Sequence, residues 1–221
     1  MPRHKFFFQT GDPETDGVLK YGYTGRQARV SLLTADVAQC PEVAAILVKY
    51  NQWVASKGFP CANYVILTLY NDGQDCIPEH SDKTIDFDEN SLLTVVKLGP
   101  GKRSFVIRDG MGGDVLFNET LPVGTAVTMT VQGNNATSHE VPKDSSTQLS
   151  GSIVFRTIKT RLSLDQVCRA VKTSDKSIAT AVNFVYKGKS LNMLISVDDV
   201  KVIALLIVYN LFFFLLVWSF F

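Results

Sequence analysis

Between residues 64 and 158 the chain breaks into short β-rich runs, each closed within a few residues by turn chemistry. Tyr64–Tyr70 (YVILTLY), Leu92–Leu98 (LLTVVKL), Ser104–Ile107 (SFVI), Asp114–Phe117 (DVLF), Thr125–Val131 (TAVTMTV) and Ser152–Ile158 (SIVFRTI) concentrate β-branched and aromatic residues. Asn71-Asp72-Gly73, Gly99-Pro100-Gly101, Asp109-Gly110, Gly112-Gly113, Pro122-Val123-Gly124 and Gly133-Asn134-Asn135 separate them. Such a train predicts a sandwich or jelly-roll barrel. Ahead of it, Asp36–Ser56 places Val43, Ile46, Leu47, Tyr50 and Val54 at helical spacing, with Pro41 tolerated in a first turn. The expected class is therefore α+β, mainly β, with an N-terminal helix.

At 221 residues the chain has room for one ordinary domain and an appendage. A hydrophobic content of 46% against 19% charged residues excludes intrinsic disorder. Lys plus Arg (22) nearly balances Asp plus Glu (21), so any nucleic-acid contact must be a local patch rather than a global field. The four cysteines are scattered without a CxxC pair, which fits a reducing compartment and no zinc knuckle.

The appendage is apolar. Val202 to Phe221 is a run of 20 residues whose only polar members are Tyr209, Asn210 and Ser219. As a helix it would reach about 30 Å, the thickness of a bilayer's hydrocarbon core. We expect a transmembrane helix over 202–221, a spacer over 163–200 and a folded domain over 1–162. Lys187, Lys189 and Lys201 precede the span, which places the domain on the cytosolic side. The run is expected to be either a tail anchor or part of a longer polypeptide.

Only three histidines occur. His80 lies in PEHSDKT with Asp82 two residues on, and His139 lies in TSHEVPK, 57 residues beyond Asp82. Two imidazoles and one carboxylate converging from neighbouring strands make a facial triad that leaves coordination positions open on an Fe(II) ion.

The surrounding segment, NYVILTLYNDGQDCIPEHSD over residues 63–82, resembles the signature of the AlkB-like Fe(II)/2-oxoglutarate-dependent dioxygenases. LTVVKLGPGKRSFVI (93–107), HEVPK (139–143) and SIVFR (152–156) are similar to later elements of that family in the same order, and YGYTG (21–25) to an element before its first helix. The IPEHSD flavour is most similar to AlkB domains of positive-strand RNA virus replicase polyproteins. The resemblance implies a double-stranded β-helix core in which His80, Asp82 and His139 hold Fe(II). It also implies that Tyr70, Ser152 and Arg156 bind the cosubstrate 2-oxoglutarate, while Tyr21 and Tyr23 meet the substrate. The implied reaction is oxidative removal of N-methyl groups from nucleobases, in RNA ahead of DNA, beside viral replication proteins on host membranes.

The sequence departs from the family at the position six before Arg156, where a second arginine is replaced by Ser150. Lys159 and Arg161 lie at odd spacing from Arg156 and so would point to the opposite face of a strand. For nucleic acid, Lys97, Lys102, Arg103 and Arg108 cluster around one turn and either meet phosphates or are simply solvated, and Phe6 to Phe8 either stack a base or pack on the core, the latter being favoured. Two other functions remain open. One is hydroxylation of a protein side chain at the same metal site. The other is a degenerate scaffold without turnover.

Overall fold

The computed structural model describes residues 4–21, 34–145, 148–163 and 166. Helix α1 (Pro41–Ser56) forms where the apolar spacing predicts it, and Pro41 occupies its first turn, where a missing N–H costs nothing. Residues 37–39, expected to belong to this helix, instead form a separate 3-10 turn, because the Asp36 side chain accepts the Ala38 N–H at 3.0 Å and caps them.

Among the described residues twelve strands accompany it: β1 (His4–Gln9), β2 (Val18–Leu19), β3 (Thr34–Asp36), β4 (Tyr64–Tyr70), β5 (Ile77–His80), β6 (Leu92–Leu98), β7 (Ser104–Asp109), β8 (Val115–Thr120), β9 (Ala126–Thr130), β10 (Thr137–Val141), β11 (Ser150–Arg156) and β12 (Arg161–Leu162). A short helix, α2 (Val131–Ala136), lies between β9 and β10. The large sheet runs β3-β1-β4-β11-β6-β9 and the small one β5-β10-β7-β8, with β12-β2 as a separate pair. Along β4 to β11 the chain passes from sheet to sheet, so eight strands divide four and four. That is a jelly roll, as expected.

Alternation along the large sheet sends two sets of side chains to two cores. On the outer face Val65, Leu67, Leu69, Val96, Leu98, Ile153 and Phe155 pack under Val43 and Leu47 of α1. Burying each of those two helix side chains contributes roughly 1.5–3 kcal/mol relative to leaving it in water. Tyr50 stacks on Phe155 with ring centroids 4.1 Å apart, and its hydroxyl lies 2.9 Å from the Thr94 hydroxyl. On the inner face Tyr70, Val95 and Val127 meet Phe105, Ile107, Phe117 and Val141 of the small sheet. Strand β4 is covered on both sides, which is why YVILTLY is buried at every position.

The Phe run becomes β1, pairing antiparallel with β4, and Phe8 joins the outer core while Phe7 joins the inner one. Expected strand limits shift by one to three residues: β8 runs on to Thr120 rather than ending at Phe117, and the last begins at Ser150 and stops at Arg156 rather than running to Ile158. Strands β5 and β10 carry both histidines yet are too short and too polar to show a strand pattern in sequence. No helix among the described residues is long and apolar enough to cross a membrane. The run 202–221 lies outside the described residues, as does nearly all of the spacer.

Candidate metal centre

His80 closes β5 and is the register partner of His139 on antiparallel β10. Directly opposed residues on one face of a sheet stand roughly 4.5–5.5 Å apart, and the two imidazole centroids are 4.5 Å apart. The His80 Nδ1 lies 2.8 Å from the Pro78 carbonyl. A carbonyl only accepts, so Nδ1 carries the proton and Nε2 keeps its lone pair for a ligand bond. That Nε2 is 3.6 Å from Asp82 Oδ1.

Asp82 is buried just beyond the strand, where a carboxylate needs strong compensation. Its backbone is clamped by Asn134 of α2. The Asp82 N–H donates to Asn134 Oδ1, and Asn134 Nδ2 donates back to the Asp82 carbonyl, each at 3.0 Å. Arg156 Nη2 donates to Asp82 Oδ2. Burial pushes the Asp82 carboxyl up, but the Arg156 guanidinium and then the two imidazoles outweigh burial and hold it well below the usual carboxylate range. The Tyr21 hydroxyl makes a longer contact, 3.5 Å, to Oδ1.

His139 is also buried, beside Phe105 at a ring separation of 5.7 Å. Burial lowers its imidazole pKa to about 4, against the pull of Asp82. It is neutral at pH 7, the form a metal requires. Its Nδ1 is buried without a hydrogen-bond partner.

The ligand atoms of His80, Asp82 and His139 all lie within 4.8 Å of one another. A divalent ion would be held by the two imidazoles and the carboxylate together. Donor set, protonation and the orphaned imidazole nitrogen all fit a divalent metal held on one face, with other positions free. A surface depression of about 370 Å³ beside Lys102, Arg103 and Ser104 includes none of the three.

The other expected site residues are distributed as follows. Tyr70 is buried on the inner face of β4, with the Arg103 guanidinium 4.8 Å above its ring. Ser152 is buried between Thr68 of β4 and Lys97 of β6. Arg156, expected to face the cosubstrate, has its guanidinium on Asp82. Tyr21 stacks against Phe87 and Tyr64 at 5.7 and 5.4 Å and forms a wall beside Asp82. Tyr23 lies outside the described residues. Arg161 holds the carbonyls of Asp16, Gly17 and Thr10, away from the trio.

One expectation is overturned. Lys97, Lys102, Arg103 and Arg108 do not form a phosphate patch, because the first and third are buried. Arg103 donates to the carbonyls of Asp72, Asp75 and Pro142 and pairs with Asp144 at 3.6 Å. Arg108 pairs with Glu140 and Glu79. Lys102 alone of the four is exposed.

Sequence reasoning also passed over Asn134 and Glu79. Asn134 stands in a stretch that reads as a turn. Glu79 accepts the Ser138 hydroxyl and the Gly112 N–H, tying β5 to β10 and to the β7–β8 hairpin beside His80. Only the unusual wealth of Asn, Thr and Ser just before His139 hinted at such a network.

The fold is a two-sheet jelly roll that gathers two histidines and an aspartate on one face, an arrangement able to hold a metal ion. No family model matches the chain, and no curated protein matches it. Among solved structures, the chain is similar over 51% of its length to OsALKBH1, at 11% identity over 61% of that chain with a TM-score of 0.37. It is similar over 42% to the Drosophila melanogaster CENP-C cupin domain, at 10% identity over 59% of that chain with a TM-score of 0.31. Over 43% it is similar to the Escherichia coli ribosomal oxygenase YcfD, at 15% identity over 24% of that chain with a TM-score of 0.31. The chain spans less than two thirds of each. Likenesses this loose carry no functional argument, which rests on the trio itself.

Proposed function

We propose that this protein is an Fe(II)/2-oxoglutarate-dependent oxygenase that removes methyl groups from nucleobase nitrogens, in RNA ahead of DNA, while tethered to a membrane by residues 202–221. One observation carries the oxygenase reading: His139 meets His80 and Asp82, more than 50 residues earlier in the chain, with the ligand atoms of all three within 4.8 Å of one another. The nucleic-acid and membrane parts rest on the sequence resemblance and the apolar C-terminal run.

When bound, the iron and cosubstrate supply the oxidation: O₂ and 2-oxoglutarate become succinate and CO₂, one oxygen atom enters the N-methyl group, and the resulting hemiaminal releases formaldehyde and the restored base. The protein's own residues prepare that site. Arg156 holds one oxygen of Asp82 and leaves the other turned toward His80. Pro78 fixes the tautomer of His80. Phe87 and Tyr64, both buried, back the ring of Tyr21, which keeps water from Asp82 and is the one of the three open enough to stack on an extruded base.

The test is succinate release by the full chain in mild detergent, with Fe(II), 2-oxoglutarate and methylated RNA oligonucleotides. We expect formaldehyde and succinate in equal amounts, and none from Asp82→Ala. Turnover on peptides but not on RNA would move the assignment to a protein hydroxylase. No turnover and no metal uptake would leave a scaffold.

A further inference from the structure

On the inner face of β6 the alternation Leu93, Val95, Lys97 puts a lysine where its neighbours are apolar, and Lys97 is only 4% exposed. Its ammonium donates to the carbonyls of Leu98 and Gly99 at 2.6 and 2.9 Å. Among the described residues no carboxylate pairs with it, and the nearby charge that acts on it is another cation, Arg103. A buried ammonium without an anion is costly. The other inward cations are engaged, Arg156 by Asp82 and Arg103 by carbonyls and Asp144.

Across the sheet from Lys97 the residues are polar and small. Lys97 pairs across the sheet with Ser152, which pairs in turn with Thr68. One step along, Ser150 pairs with Tyr70, and the Ser150 hydroxyl is fully buried without a partner. Here the strand carries Ser150 where a second arginine is expected, and Lys97 stands beside the position left short of a cation. Ser152 and Arg156 are four residues apart on one face of β11, about 13 Å along the strand. A ligand held at the trio that carries a second carboxylate at its far end would extend along this face toward Lys97. The four-carbon stem of lysine lets the ammonium swing to meet it.

We infer that Lys97, with the hydroxyls of Ser150 and Ser152, receives the distal carboxylate of a 2-oxo dicarboxylic acid and thereby selects it over 2-oxo monocarboxylic acids. This rests on the oxygenase reading and adds to it the residue that sets cosubstrate choice. Burial lowers the Lys97 pKa to about 8, with Arg103 adding to the effect. The group remains mostly charged at pH 7 and gains from a carboxylate partner.

The experiment is calorimetric titration of the Mn(II)-loaded full chain in detergent with 2-oxoglutarate and with 2-oxobutanoate, which lacks the distal carboxylate. In wild type we expect 2-oxoglutarate to bind roughly 10- to 100-fold more tightly, the worth of one charge-assisted hydrogen bond. Lys97→Met should lose that preference by weakening 2-oxoglutarate alone, and Lys97→Arg should restore part of it. Lys97→Gln, folded by circular dichroism, serves if the methionine variant does not fold. A wild-type preference that survives in Lys97→Met or Lys97→Gln overturns the assignment of Lys97 and leaves the oxygenase reading standing. Wild type that takes up Mn(II) but binds neither acid overturns both.

Discussion

The two ends of β11 hold buried cations under opposite conditions. At Arg156 the guanidinium faces a buried carboxylate, and each charge offsets the other's desolvation. Beside Ser150 and Ser152, Lys97 is bound to two backbone carbonyls and, among the described residues, to no anion. A paired charge holds a ligand in place before any metal arrives. An unpaired one makes the folded chain less stable than it would otherwise be and turns that deficit into affinity for whatever anion completes it.

The sharpest way to break the comparison is at the paired end. In chelator-treated protein, Asp82→Ala should cost about 3–5 kcal/mol in chemical unfolding, because it leaves Arg156 buried without a counter-charge. The double variant Asp82→Ala/Arg156→Met should recover most of that loss. If the double variant is as unstable as the single one, the ion pair is not what holds this end together. Both variants should fail to retain a stoichiometric metal, which separates the structural effect from the ligand role.

Asn134 supports the same end through the backbone. Asn134→Ala removes both hydrogen bonds to Asp82 and leaves a buried N–H and a buried carbonyl without partners, for a loss of roughly 2–3 kcal/mol. Mn(II) affinity should fall with it, since the loop that presents Asp82 is no longer pinned to α2. Unchanged stability in urea would mean that water replaces the asparagine without penalty.

These two residues also mark where sequence reading stops. The runs that become β4, β6 and β11 were legible because both faces of the large sheet are covered there, so burial writes a nearly continuous apolar pattern. Strands β5 and β10 were not, because what fixes them is polar: the Glu79–Ser138 bond, Ser81 on the Thr137 carbonyl and Asn134 on Asp82. The metal ligands were legible by type and spacing. Their supports were not, since a hydrogen bond between residues 52 positions apart, as for Asp82 and Asn134, leaves no local trace. The basic cluster misled for a related reason: proximity in sequence near a turn says nothing about whether alternation sends Lys97 inward while Lys102 stays outside.

At the unpaired end the comparison sharpens with pH. The Lys97 pKa is about 8 in the folded protein and near 10.4 in an unfolded chain, so above pH 8 the folded state sheds a proton that the unfolded state keeps. The contribution of Lys97 to stability therefore rises with pH between about 8 and 10.4 and is flat below and above. Lys97→Met has no such rise. Without ligand it should be more stable than wild type at pH 7, by roughly 1–3 kcal/mol, with the gap closing across that window. A constant gap across the window would show that Lys97 does not carry an uncompensated charge.

The smallest effect is expected outside both ends, at Lys102. Four cations on one turn, each meeting a phosphate, would give a salt dependence of single-stranded RNA binding with a slope near 2.8, about 0.7 for each contact. With Lys97 and Arg103 buried and Arg108 paired to Glu140 and Glu79, that turn offers one exposed cation. Lys102→Ala should therefore shift the slope by no more than about 0.7 and change stability by less than about 0.5 kcal/mol. Binding measured between low and moderate salt decides this directly. A larger drop in slope would mean that the buried cations turn outward when RNA binds, and Lys97 could not then also be the inward group that selects a dicarboxylate.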